Sequence, residues 1–473
     1  MKYLRLRNGA LALASAAILS VGARPAQAAT LGELSVTAYG AKADGVTDNT
    51  RAFQSALNAA ASSGAIVRVP AGQYFFSGTL TVPAQVILTG VNAGERSYVG
   101  YVDIGNNGGV DSQDVTANAG SVFLVTSGAG SAAGTPFLTL NANSGVRNAT
   151  FYYPDQKDPT GPVNKPNPTD WVPTAYPFTI SMTGRSGSVE NVTGINPYQF
   201  IMAASSDGQS QCENIRRVNG TPLLTGVLID NDGDGSGGST DCLEDIHFIP
   251  GWGNGTGLNW VLAHATAFQI NHADEIILRS CYCFFYFSAY HFGHSASGSA
   301  SGTIINCGSD TCGTGVQVDN VQSTLGGLVF EGGAYSATGA GFSVNLASGN
   351  KGNVTFNAAR FWGPATGLVN NASQKGSVTT FYACDFLDWG DGTLNPAQVC
   401  ITCGDRNNPS RPSGKTRVVY CHFKRDQYTY TYTPGAAGVL FEGNSLAHGV
   451  HARIAGPILP SATSPHYIQA NNF

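Results

Sequence analysis

The residues best suited to moving protons lie between positions 230 and 345. Four short apolar segments there can be aligned: Val227-Leu-Ile-Asp230, Phe268-Gln-Ile-Asn271, Val316-Gln-Val-Asp319 and Phe342-Ser-Val-Asn345. The alignment stacks Asp230, Asn271, Asp319 and Asn345 in one polar column, with Asn231, His272 and Asn320 in a second column beside it. Asp232, Asp234, Asp241, Asp274 and Glu275 are close in the chain, and His291 and His294 follow. Crowded carboxylates repel one another, so one stays protonated while its neighbour ionises, which supplies an acid and a base at one pH. If the segments are adjacent turns of one stack, Asp230 and Asp319 stand two strand spacings apart, roughly 9 to 10 Å. The same residues fit plainer roles. Asn and Asp form polar ladders that only stabilise turns, Asp230-Asn-Asp-Gly-Asp234 carries oxygen donors suited to Ca²⁺, and His291 and His294 can be structural.

The elements that hold these residues repeat. From about residue 120 an apolar strand of four to six residues is followed by a Gly, Asn or Asp turn, with most steps roughly 24 to 31 residues long. Gly187-Ser-Val-Glu-Asn-Val-Thr193, Gly302-Thr-Ile-Ile-Asn306 and Gly352-Asn-Val-Thr-Phe356 are examples. A unit this short cannot bury its apolar face alone and must stack on its neighbours. Helical signals are absent between repeats, so the expected fold is all-β, a right-handed parallel β-helix; a β-propeller, with longer blades, is the rival. Ahead of the repeats, Ala52, Phe53, Ala56, Leu57 and Ala60 recur on one helical face. This predicts a helix over 48–62, N-capped by Asp48 or Thr47, that covers the open end of the stack. Two segments break the pattern and read as inserted loops: 154–177, rich in proline, and 250–260, rich in glycine.

Residues 1–28 carry Lys2, Arg5 and Arg7, an apolar run over 10–21, and Ala26-Gln27-Ala28. They read as a secretory signal peptide cleaved after Ala28, rather than a buried helix, leaving residues 29–473 as one secreted β-helix domain, extracellular or periplasmic. Only 12% of residues are charged and the net charge is −5, so no basic field exists for nucleic acid or an anionic membrane. All ten cysteines follow residue 200. Repeat alignment sets Cys384 beside Cys421 and Cys281 beside Cys307, and an exported chain would oxidise such pairs. Cys212–Cys242 is a third expected pair. Cys400 and Cys403 with Cys384 and Cys421 would alternatively supply four thiolates for zinc.

Ala38-Tyr-Gly-Ala-Lys42, Asp44-Gly45, Thr47-Asp-Asn-Thr50 and Val69-Pro-Ala-Gly-Gln-Tyr74 resemble the N-terminal segment of the pectate lyase-like superfamily, in its rhamnogalacturonase and epimerase type. The resemblance implies a β-helix and a polysaccharide or oligosaccharide partner. It covers about 40 residues, and hydrolases, lyases, epimerases and phage depolymerases share the motif. Of the polygalacturonase pattern (Asn-x-Asp, Asp-Asp, Gly-His-Gly, Arg-x-Lys) the chain carries only echoes: Asp230-Asn-Asp232, an altered pair Asp274-Glu275, and Gly293-His294-Ser295 with the second glycine replaced, without a following Arg-x-Lys. The expected activity is hydrolysis of glycosidic bonds, catalysed by Asp230, Asp232, Asp319 and Asp274 with His272 or His294 assisting. Trp171, Trp252 and Trp260 would stack on sugar rings, and Asn271 and Arg279 would contact substrate. No cofactor is expected. The alternatives are β-elimination on a uronate polymer, with Arg185, Arg216, Arg217, Arg279 or His272 as base or cation and Ca²⁺ as a possible helper, and a carbohydrate-binding β-helix without catalysis.

Overall fold

Side-chain alternation dictates how each turn of the chain folds. In the strand Thr225–Asn231, Val227 and Ile229 are buried while Leu228 and Asp230 face outward. The same alternation in later strands brings Val227, Phe268, Tyr290, Val316 and Val344 side by side in one interior column. Among the described residues, strands one full turn of chain apart pair in parallel throughout two sheets, of 25 and 13 strands. The fold is the expected right-handed parallel β-helix. The computed structural model describes residues 32–91, 120–156, 172–205, 212–231, 241–249, 256–296, 298–323, 326–363, 367–390, 398–424, 430–432, 436–446, 454–455 and 467–469. The leader, Trp171, Trp252, Asp232 and Asp234 lie outside them. Among the described residues no helix is long and apolar enough to cross a membrane.

Register turns identical interior positions into ring stacks. Phe330, Phe356 and Phe381 follow one another with centroids 4.4 and 5.2 Å apart, and Phe386 stacks on Phe423 at 4.7 Å. One strand spacing is close to the preferred separation of stacked rings, so the ladder places aromatic rings where they attract.

The larger sheet bends at one corner, where a single residue per turn takes a left-handed conformation. Asn148, Asn191, Arg217, Asp245, Ser280, Asn306, Gly332, Ala358, Ala383, Tyr420 and Gly443 all occupy it. Asn191 Nδ2 donates to Asn148 Oδ1 at 2.8 Å, so amides bridge successive corners. Asn and Gly tolerate this conformation best, which explains the turn residues that punctuate the repeats.

The N-terminal helix spans Thr50–Ala61 and buries Phe53, Ala56, Leu57 and Ala60. Phe53 meets Tyr74, Phe76 and Phe123 edge-on at 4.9–5.6 Å, closing the end of the stack as expected. Asn49 is the N-cap residue, but its side chain bonds Lys42 instead. Asp48 Oδ1 takes the Thr50 amide at 3.0 Å and so does the capping.

Three expectations change. A helix, Thr256–His264, follows the glycine-rich segment and overlaps its end. Its Val261 is fully buried, so apolar packing holds a turn that composition alone marked as loop. Cys242 pairs with Asn214 rather than with Cys212, which lies two residues earlier and is exposed. Finally, a strand that the alignment skipped, Ser288–Phe292, lies between Thr266–His272 and Thr314–Val318. The other cysteine levels agree with the alignment: the Cys281 amide meets Cys307 Sγ at 3.4 Å and the Cys384 amide meets Cys421 Sγ at 3.3 Å. Cys283 and Cys312 form a further close pair, 4.0 Å between sulfurs. All are thiols in this structure. Among the described residues no group of three or more His, Cys, Asp or Glu side chains is arranged to hold a metal.

Candidate functional site

The outward face of the smaller sheet carries two polar columns. One runs Leu228, Gln269, His291, Gln317, Asn345, Asn370. The other, two residues further along each strand, runs Asp230, Asn271, Gly293, Asp319. The inserted strand puts three strand spacings between Asp230 and Asp319, roughly 14 Å. That exceeds the carboxyl separation used by inverting glycosidases, so the expected two-step pairing does not hold. Asn345 lies in the first column, beside Gln317, not in the second.

His291 is the residue the sequence alignment left out. Its Nε2 lies 2.7 Å from Asp319 Oδ2, and Gln317 Nε2 donates to Asp319 Oδ1 at 2.7 Å. The hydrogen bond from His291 holds the Asp319 carboxyl below the usual carboxylate range; partial burial opposes this, and Gln317 and the nearby His294 add to it. An ionised carboxylate only accepts, so Nε2 carries a proton, and in the neutral form of the imidazole the lone pair is on Nδ1. The pair is therefore an oriented base.

Amides extend the network on both sides. Asn370 Nδ2 donates to Asn345 Oδ1 at 2.8 Å, and Asn345 Nδ2 donates to Gln317 Oε1 at 2.7 Å. Across the site, Gln269 Nε2 donates to Asn271 Oδ1 at 3.0 Å, and Asn271 Nδ2 donates to Asp230 Oδ2 at 3.1 Å. The ladder pairs Ile229 with Ile270 and then Asp230 with His272, so Asn271 is the extra residue of a bulge. Bulges re-aim side chains, and this one lets Asn271 reach Asp230. Between the two chains sits Gly293, where a Cβ would come within 2.7 Å of Asn271 Oδ1, so the missing side chain makes room for the Asn271 amide.

The remaining sequence candidates fall elsewhere. His272 is only 7% exposed and lies beneath the face; its Nδ1 has no hydrogen-bond partner and its Nε2 abuts Gly298. Asp274, on the turn beyond, accepts a hydrogen bond from Gln322 Nε2. His294 is exposed at the strand end. Arg279 belongs to the other sheet, where Arg147, Glu190, Arg216, Glu244 and Arg279 occupy successive rungs of an alternating charge ladder. It pairs with Glu244 at 3.5 Å, while Arg147, Arg216 and Arg217 surround Glu190. Alternation along a strand names the outward residues but not the face of the solenoid, which is why Arg279 was misplaced. Trp260 is partly buried and stacks on His264, centroids 3.8 Å apart.

The family model described as rhamnogalacturonase A/epimerase, pectate lyase-like matches residues 34–271, just over half of the chain. The chain belongs to that family, a carbohydrate-active family of β-helix proteins. A pre-neck appendage protein of Bacillus phage phi29 is 39% identical over 94 residues, which are 19% of this chain and 10% of that protein. The matched stretches span a tenth or less of three curated relatives, this one included, at 10%, 4% and 7% of their lengths. Among solved structures, the A-module of mannuronan C-5 epimerase AlgE6 of Azotobacter vinelandii covers 93% of this chain and 100% of its own, at 15% identity and TM-score 0.39. The catalytic unit of a GH87 alpha-1,3-glucanase from Streptomyces thermodiastaticus covers 90% and 70%, at 12% identity and TM-score 0.45.

Proposed function

We propose that the protein is an exported enzyme that hydrolyses glycosidic bonds of a polysaccharide, with Asp319 and His291 as its acid–base centre. Asp319 holds the Nε2 proton, and His291 Nδ1 takes the proton from an attacking water. We assign Asp230, held by Asn271 beyond the Gly293 rung, as the carboxyl whose acid form gives its proton to the departing glycosidic oxygen while His291 takes the proton of the water. The chemistry uses protein side chains alone. The observation that carries the reading is the oriented imidazole–carboxylate pair on a face of amides and carboxylates. Elimination from a uronate polymer would need a cation against the sugar carboxylate; Arg216, Arg217 and Arg279 are engaged with Glu190 and Glu244 on the other sheet, and Arg185, exposed after strand Phe178–Met182 of the smaller sheet, is the candidate left for that role.

Incubation with a polysaccharide panel, following reducing ends together with absorbance of unsaturated sugars, tests the proposal. Reducing ends without unsaturation are expected. Both signals together would assign elimination instead, and neither would leave a binding protein.

Export also predicts oxidation of the level cysteine pairs, which are a full turn apart in sequence and adjacent in space. Peptide mapping of the secreted protein without reductant should recover Cys281 linked to Cys307 and Cys384 linked to Cys421. Alkylation of all ten cysteines before any reductant is added would sink that expectation.

A further inference from the structure

On the bent face of the larger sheet, away from Asp319, two large aromatic side chains stand in solvent. Tyr382 is 47% and Tyr420 54% exposed, and their rings meet edge to face at 5.8 Å. The core does not call for them: the inward positions of the same turns are filled by Phe381, Phe386 and Phe423. The preceding rungs carry smaller side chains, and Val419 follows Tyr382 in its column. Tyr382 follows Glu331 and Asn357, and Tyr420 follows Gly332, Ala358 and Ala383 at the corner. Tyr420 also has φ of 54°, a conformation that bulky residues rarely adopt. The next corner residue, Gly443, makes room for it, since a Cβ there would lie 2.4 Å from the ring. Beyond the corner, Arg360, Asp385 and His422 form an outward row, with Asp385 3.9 Å from Arg360 and 3.3 Å from His422.

We propose that Tyr382 and Tyr420, flanked by Arg360, Asp385 and His422, form a second carbohydrate-contact surface that holds a neutral polysaccharide chain away from the cleavage site. The reading rests on polysaccharide being the substrate class. Exposed ring faces stack on the apolar faces of pyranoses, and the carboxylate, imidazole and guanidinium beside them bond hydroxyls. The balanced charge of the row favours a neutral chain over a polyanion.

The test is electrophoresis of the native fold through gels containing soluble starch, xylan, laminarin or polygalacturonate, in an Asp319→Asn background so that the matrix is not cut. At least one neutral polysaccharide should retard the protein. Adding Tyr382→Thr and Tyr420→Asn, which suit a strand and a left-handed corner respectively, should weaken that retardation about tenfold. The same two changes in the unaltered enzyme should leave cleavage of a short oligosaccharide within about twofold. Equal retardation with and without the tyrosines overturns the proposal, as does retardation by polygalacturonate alone or by no matrix. Tyrosine-dependent retardation without any cleavage product would sink the hydrolase and leave this surface standing.

Discussion

Asp319→Asn should lower turnover by about 10² to 10⁴-fold while leaving the fold intact. In the native pair Asp319 accepts from His291 Nε2 and from Gln317 Nε2. Asparagine offers one acceptor oxygen and one NH₂. With the oxygen kept by Gln317, the NH₂ faces His291 and turns Nε2 into an acceptor. The imidazole proton then moves to Nδ1, the atom that must be free to take a proton from water. The loss should therefore fall on kcat, with KM little changed, because the shape of the site is kept. His291→Gln should cost as much, and the double variant no more than either alone. Retention of full activity by Asp319→Asn would remove the pair from the mechanism. The pH dependence has a definite sign. Asp319 titrates lower in the folded protein than in the unfolded chain, so its ionised form, and the stability it lends, are present above about pH 4. Both are lost as pH falls through the lower folded value, so this carboxylate should set no acid limb above about pH 4.

The largest effect on stability is expected from Phe356→Ala, at about 3 to 5 kcal/mol. Phe356 is fully buried, stacked between Phe330 and Phe381 and met edge-on by Phe361. Removing the ring leaves a void bounded by rings anchored in three different turns, and none can collapse into it without breaking register. Chemical denaturation should show a lowered midpoint, with loss of parallel pairing beginning around residues 328–386. A change below about 1 kcal/mol would mean that the stack relaxes far more freely than its register suggests.

Much of the fold was legible because a solenoid writes its period into the chain. The helix face from Phe53 to Ala60 and the levels of Cys281 with Cys307 and Cys384 with Cys421 follow from local pattern alone. The site was legible only in part, for two physical reasons. The rung between Asn271 and Asp319 carries Gly293, with no side chain to mark it, so a search for stacked Asp and Asn stepped over a whole turn. The second reason is the period of a strand. A slip of one residue turns every side chain to the wrong face, but a slip of two does not, so hydrophobic alternation cannot detect it. That is how Asn345 was aligned with Asp319 when it stands beside Gln317. Placing Arg279 by the site was a related loss, since turn lengths decide which face an outward residue occupies.

The steady turn length has a consequence for reach. Thr303, Val329, Thr355 and Thr380 mark the same position in successive turns of about 26 residues. The tyrosine pair lies three to four turns beyond the turn of Asp319, so roughly 14 to 19 Å separates the two along the axis. The solenoid acts as a ruler graduated in whole turns. Excising one turn would shorten the interval by a single graduation and keep the rungs on either side in register, so the length of chain spanned between grip and cut becomes an integer that can be set by deletion.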